Sequence, residues 1–361
     1  MLNPTCMVMR MAAVSFRIRK LAFIGIVIAM ALLPVGHVVG NEWQYHFGRA
    51  IFPIASVSVT LKDEALGRDV PVRVTMPQAD GKHPVIVWSH GAFGSKDGYQ
   101  PLVSVWASSG YVIIQPTHSD SLALMPVEER RKVVEAISQG KFPFSVLKNW
   151  RERARDISLV LDSLARLCEL VPELKGRMDD GCIGVGGHSF GAFTTQLVAG
   201  ASARLLGGER VILSDERPKA FIAISPTGIG GVGIGGLFDK SSFENIKRPM
   251  LLITGSNDFG RGFLPAEWRK AAFELLPEGD KYLLWIDGAY HDFGGISGMP
   301  AAARQWFMPK FMGRYNERHL EIVRSMTLAF WDAYLKGGAE AKEFIASKMI
   351  ERAGGVELSK R

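Results

Sequence analysis

From Ser56 onward the chain alternates short apolar runs with longer stretches in which apolar residues recur every three or four positions. Eight runs have the length and character of strands: 56–61 (SVSVTL), 70–76 (VPVRVTM), 84–90 (PVIVWSH), 111–116 (YVIIQP), 182–188 (CIGVGGH), 219–225 (KAFIAIS), 249–255 (PMLLITG) and 281–287 (KYLLWID). Most of those after the second are almost wholly apolar, which predicts strands covered on both faces. The first two lie close together with a turn between them and predict an antiparallel start. Helical segments separate most of the others, as parallel pairing requires.

Three segments predict helices. Residues 99–110 end on Gly110, a residue suited to a C-cap. The stretch 150–170 carries Ile157, Val160, Leu161, Leu164 and Leu167 as a helical stripe, and 320–338 reads as a closing helix. Two stretches, 119–149 and 226–238, fit no core element and are expected to be excursions near a binding face, the first a cap or lid. The pattern predicts an α/β domain over 41–361, with a mostly parallel eight-stranded sheet flanked by helices.

Residues 1–40 break this pattern. RIRK (17–20) precedes a 13-residue apolar run, LAFIGIVIAMALL (21–33), followed by Pro34 and VGHVVG. A charged start, a short apolar core and small residues before a cut after Gly40 describe an export signal, or an N-terminal membrane anchor if uncleaved. The run is shorter than the roughly 20 residues that span a bilayer. Either reading places the rest of the chain outside the cytoplasm, in the periplasm or secreted.

This segment also accounts for much of the charge. The chain has 43 basic and 36 acidic residues, a net +7; removing the four basic residues of 1–40, which holds no acid, leaves 39 against 36, or +3. No basic tract with interleaved aromatics remains, so no nucleic-acid partner is expected. Membrane contact is expected only through an uncleaved anchor. Cys6 lies in the exported segment, and an oxidising compartment permits Cys168 and Cys182 to pair as a disulfide. Without CxxC or clustered Cys/His spacing, no metal site is expected.

The candidate chemistry centres on GVGGHSFGAF (184–193), where Ser189 stands between Gly187 and Gly191 in a GxSxG pattern. The strand CIGVGG precedes it and the helical FGAFTTQLVAG follows, the context of a nucleophile held on a sharp turn. A serine hydroxyl needs a base, and the base an orienting acid, which on this type of sheet follow in the order Ser, Asp, His. Asp258, just past the seventh strand run, supplies the acid, with Asp287 and Asp292 as competitors. His291, after the last run, supplies the base; His319 competes but falls on the closing helix. The amides of Phe190, next to the nucleophile, and of Ala92, in the loop SHGAFGS (89–95), are the expected oxyanion donors, with Phe93 the runner-up. His90, His118 and His188 are expected to be structural. GIGGVG (228–233) matches a dinucleotide fingerprint, but Pro226 and the continuing glycines argue against the helix start that the fingerprint requires.

Together SHGAFGS, GHSFGA, LLITGSND, YHDF and AFWDAYLKG, spanning about 80–340, make the chain resemble an α/β-hydrolase. It is similar in particular to the dienelactone-hydrolase-like and platelet-activating-factor-acetylhydrolase-like branch. Dienelactone hydrolases proper carry cysteine in the elbow and this chain has serine, so their reaction is not carried over. The resemblance implies a serine esterase with the triad Ser189, His291 and Asp258, needing no cofactor. Short- or medium-chain esters are expected, because the excursion at 119–149 mixes apolar residues with the charged EERRK. An amidase or peptidase, a phospholipid or polyester hydrolase, and a non-catalytic binding protein on the same scaffold are the alternatives.

Overall fold

Residues 54–77 fold as the antiparallel hairpin that their spacing predicts. Strand β1 (Ile54–Asp63) pairs with β2 (Arg68–Pro77) in unbroken register, from Ile54 opposite Pro77 to Asp63 opposite Arg68. The structure is a computed structural model that describes residues 42–45, 51–139, 141, 143, 148–231, 233–260, 264–300 and 309–361. The expected export signal or anchor at 1–40 lies outside the described residues.

After the hairpin the chain alternates strands and helices. In order come β3 (His83–Ser89), α1 (Gln100–Ser108), β4 (Val112–Pro116), α2 (Val127–Ser138), α3 (Trp150–Asp162), α4 (Leu164–Leu170), β5 (Met178–His188) and α5 (Phe190–Val198). A small ribbon of β6 (Ser202–Arg204) and β7 (Arg210–Ile212) precedes β8 (Ala220–Ile224), β9 (Met250–Asn257), α6 (Lys270–Glu274) and β10 (Lys281–Tyr290). The chain then forms α7 (Pro309–Met312), α8 (Glu317–Leu335), α9 (Ala339–Ala346) and β11 (Val356–Lys360).

Among the described residues nine strands form one sheet in the order β1-β2-β4-β3-β5-β8-β9-β10-β11. Pairing is parallel from β4 through β10 and antiparallel at both margins. The chain leaves β3 toward β4 on one side and returns to β5 on the other. That reversal opens a crevice at the carboxyl ends of β3 and β5, where open α/β sheets build their sites. The pleat divides the core: Val85 and Val87 of β3 pack toward α3 and α5, and Ile86 and Trp88 toward α1 and α8.

Three expectations need correction. The sheet has a ninth strand: β11 pairs antiparallel with β10, and as a five-residue edge strand with only Leu358 buried it leaves little apolar signal. The single helix expected over 150–170 breaks at Ser163 into α3 and α4. The excursion 119–149, expected to fit no core element, carries EERRK on a helix, α2, that is solvated on nearly every face with only Ile137 buried. Its acids Glu128 and Glu129 fall in the first turn, where the helix dipole favours them. Finally, Cys168 and Cys182 are both free thiols. Cys168 Sγ points to the Leu174 carbonyl at 3.8 Å, within the turn after α4, while burial and then Asp179 hold the Cys182 thiol above its ordinary pKa. Each thiol has its own local partner.

Candidate active site

Strand β5 delivers Ser189 at the crevice on a strained turn. Ser189 has φ 57° and ψ −114°, a backbone region that L-residues avoid, at a cost of about 1–3 kcal/mol. Its amide donates to the Ile224 carbonyl of β8 at 2.9 Å, which locks the turn to the neighbouring strand. The flanking glycines are sterically required. A Cβ at Gly187 would fall 2.4 Å from the Gly191 carbonyl oxygen, and one at Gly191 would fall 2.0 Å from the Ser89 carbonyl oxygen.

The loops after β9 and β10 bring Asp258 and His291 to this serine. Ser189 Oγ lies 2.9 Å from His291 Nε2, and His291 Nδ1 lies 2.7 Å from Asp258 Oδ1. A carboxylate only accepts, so Nδ1 carries the proton and the Nε2 lone pair faces the serine hydroxyl. Burial pushes the Asp258 carboxyl up, but the Arg269 and His291 charges and hydrogen bonds outweigh it and hold the group well below the usual carboxylate range. Ser225 Oγ donates to Asp258 at 2.7 and 2.9 Å, and Thr254 Oγ1 donates at 3.0 Å. Phe311 of α7 closes over the imidazole with ring centroids 4.1 Å apart.

The competing residues lie elsewhere. Asp287 is exposed and accepts from Ser256 Oγ at 2.8 Å, and Asp292 is buried and accepts from the Ser297 amide at 2.9 Å. His319 sits on α8 beside the Asp287 main chain, its pKa lowered by burial and by Arg318. The described residues of the glycine-rich stretch open no α-helix; Gly233–Leu237 is a 3-10 turn, and Trp268 Nε1 donates to the Ile229 carbonyl at 2.7 Å.

The loop after β3 is held group by group, and this selects the free amide. Gly91 N–H donates to the Tyr99 hydroxyl at 3.0 Å, and Phe93 N–H donates to Asp120 Oδ2 at 3.2 Å. Arg153, fully buried, donates to the His90 carbonyl and to Asp120, and its guanidinium lies 4.4 Å from the centre of the Phe190 ring. Ala92 stands between two engaged amides, and among the described residues neither its N–H nor that of Phe190 has an internal acceptor. Phe93, the runner-up donor, is thereby committed to Asp120.

Two of the histidines expected to be structural connect these parts. Tyr99 Oη donates to His188 Nδ1 at 2.8 Å, and His188 Nε2 donates to the His291 carbonyl at 2.8 Å, so one chain of hydrogen bonds runs from the loop amide to the base. Burial, aided by His291, holds His188 well below the ordinary histidine pKa. Below the loop, Ser89 Oγ lies 2.8 Å from His118 Nε2, and His118 Nδ1 lies 2.8 Å from Asp156 Oδ2: a second Ser–His–Asp line, with all three side chains buried. His118 is also held neutral, by burial and by Arg153 and Arg68. Burial raises Asp156 to about 6, against the pull of its Arg68 partner. Among the described residues no group of three or more His, Cys, Asp or Glu side chains is placed to hold a metal ion, and no helix is long and apolar enough to cross a membrane.

Comparison with known proteins agrees with this architecture. Residues 44–143 match the family model described as Chlorophyllase. A protein of Schizosaccharomyces pombe described as a putative phospholipase A2 is 29% identical over 165 residues, a match covering 36% of this chain and 38% of that protein. The chain thus spans well under half the length of this curated relative. The crystal structure of a putative dienelactone hydrolase from Klebsiella pneumoniae superimposes with a TM-score of 0.51 at 18% identity, over 78% of this chain and all of that one. The fold is that of an α/β-hydrolase, and all three matches fit it.

Proposed function

We propose that this protein is a serine hydrolase of carboxylic esters, acting through Ser189, His291 and Asp258. The observation that carries the reading is the unbroken line from Ser189 Oγ to His291 Nε2 and from His291 Nδ1 to Asp258, with the serine on a strained elbow. His291 takes the hydroxyl proton as Ser189 Oγ attacks the ester carbonyl. The amides of Ala92 and Phe190 meet the developing oxyanion, and Asp258 stabilises the imidazolium. His291 then returns the proton to the leaving alcohol, and water activated by the same histidine releases the acid from the acyl-enzyme. The dienelactone hydrolase, chlorophyllase and phospholipase descriptions of the matched proteins support ester hydrolysis. Export by residues 1–40 and a preference for short or medium acyl chains belong to the same proposal.

The test is kcat/KM for acetyl, butyryl, octanoyl and palmitoyl esters of one alcohol, with Ser189→Ala as the control. Turnover that peaks at the short or medium esters and disappears in Ser189→Ala is expected; a maximum at palmitoyl would overturn the chain-length preference. The likeness to a phospholipase A2 favours phospholipids as a second substrate class. Parallel release of fatty acid from phosphatidylcholine vesicles decides between the two.

A further inference from the structure

The acid of this relay is held by a cation that the reaction scheme does not use. Arg269 ends a short 3-10 turn (Ala266–Arg269) ahead of α6 and is 5% exposed. Its Nε lies 3.1 Å from Asp258 Oδ2 and donates to the Asp258 carbonyl at 2.9 Å. Nη1 donates to the carbonyls of Ser225 and Pro226 at 3.2 and 2.9 Å, and Nη2 to that of Phe259 at 3.1 Å. One side chain therefore ties the loop after β8 to the loop after β9, the two segments that carry Ser225 and Asp258.

Bracing those loops requires only donors to carbonyl oxygens. Placing a desolvated positive charge against the carboxylate does something more. An anionic Asp258 stabilises the imidazolium of His291 and so raises its basicity; a cation on the same carboxylate acts in the opposite direction. Among the described residues the groups that face His291 include Asp258, the Ser189 and Ser225 hydroxyls, the Phe311 ring and the ring of His188, its centroid 4.7 Å away, with Arg269 behind Asp258 and Asp292 next in the chain. His188 is neutral, so among these groups the opposing charge comes from Arg269.

We propose that Arg269 is a positioning residue that sets the basicity of His291 through Asp258, keeping the base unprotonated to lower pH than an Asp–His pair without that cation would allow. The inference rests on the catalytic reading of Ser189, His291 and Asp258. Its consequence is an activity range extended toward acid.

The experiment measures the rate of covalent capture of Ser189 by a fluorophosphonate from pH 5 to 9, which requires no knowledge of the substrate. That rate rises as the base loses its proton. Arg269→Gln, which removes the charge, is expected to move the acid limb upward by about one pH unit. Arg269→Lys keeps the charge but loses the fork; it is expected to leave the limb close to the wild-type position and lower the plateau. The position of the limb is a ratio of rates and does not depend on the fraction folded, and Arg269→Met serves as a second neutral variant if glutamine prevents folding. A neutral variant with the wild-type limb, or a lysine variant displaced as far as the neutral one, overturns the proposal. Wild-type protein that is not captured at Ser189 at any pH refutes the catalytic reading instead.

Discussion

Two Ser–His–Asp lines lie side by side in this molecule, because Ser89 of β3 is paired with Gly187 of β5, two residues before Ser189. Their distances are nearly the same: 2.9 and 2.7 Å in the line from Ser189, and 2.8 and 2.8 Å in the line from Ser89. Everything around those distances differs. Ser189 is only partly buried and stands on a strained elbow, next to the Phe190 amide, which like that of Ala92 has no internal acceptor among the described residues, whereas Ser89 is the last residue of a strand and is wholly enclosed, with an Arg153 nitrogen 3.4 Å from its hydroxyl. Three residue types in a row therefore do not define a site. Access, backbone placement and unengaged amides set the first line apart, and the second line instead braces the loop that carries Ala92.

The sharpest way to break the comparison is to remove each serine in turn. Ser189→Ala should lower turnover by about 10⁴-fold or more, as loss of a nucleophile does. Ser89→Ala should retain measurable turnover and lose stability instead, because it leaves His118 Nε2 buried without its donor. Steady-state kinetics and urea unfolding on both variants read the two effects, and equal kinetic losses would contradict the assignment.

A second difference concerns pH. The folded pKa of Asp258 lies below its unfolded value, so its contribution to stability is present above about pH 4 and is lost as pH falls. Asp156 has the opposite sign. With its pKa raised to about 6, its contribution is present below about pH 4 and lost as pH rises through 6. Asp156→Asn should therefore flatten a decline of stability between pH 4 and 6, worth about 3 kcal/mol at most. Urea midpoints across that range check it, and an unchanged slope in the variant would count against it.

The smallest expected effect concerns the link between loop and base. Tyr99→Phe removes the hydroxyl that accepts from Gly91 and donates to His188. A loss of about tenfold in kcat with little change in KM is expected, in keeping with about 1–1.5 kcal/mol for a buried hydrogen bond. A change confined to KM would place Tyr99 in substrate binding.

How much of this was legible in the sequence depended on how local each constraint is. The elbow could be read because its steric demands fall on Gly187 and Gly191, each within two residues of Ser189. Eight of the described sheet's nine strands, and the positions of Asp258 and His291 just beyond two of them, followed from reading the apolar runs. Arg269 could not be found this way: AEWRKAAFE looks like an ordinary solvated turn and helix, and only tertiary packing turns that guanidinium inward. Ser225 ends an apolar strand run and gives no sign that its hydroxyl serves Asp258. The second Ser–His–Asp line is spread over β3, the loop after β4 and α3, its successive members 29 and 38 positions apart, and no local pattern joins them. Cysteine positions misled for a related reason, since closeness in sequence does not determine what each thiol packs against.

The most direct test is to treat the wild-type protein with a fluorophosphonate and locate the adduct by peptide mass spectrometry. The account predicts a single phosphonylated serine, Ser189, with Ser89 unmodified although it stands in an equally well-formed hydrogen-bonded line. An adduct at Ser89, or folded protein that takes up no label at Ser189, would contradict it.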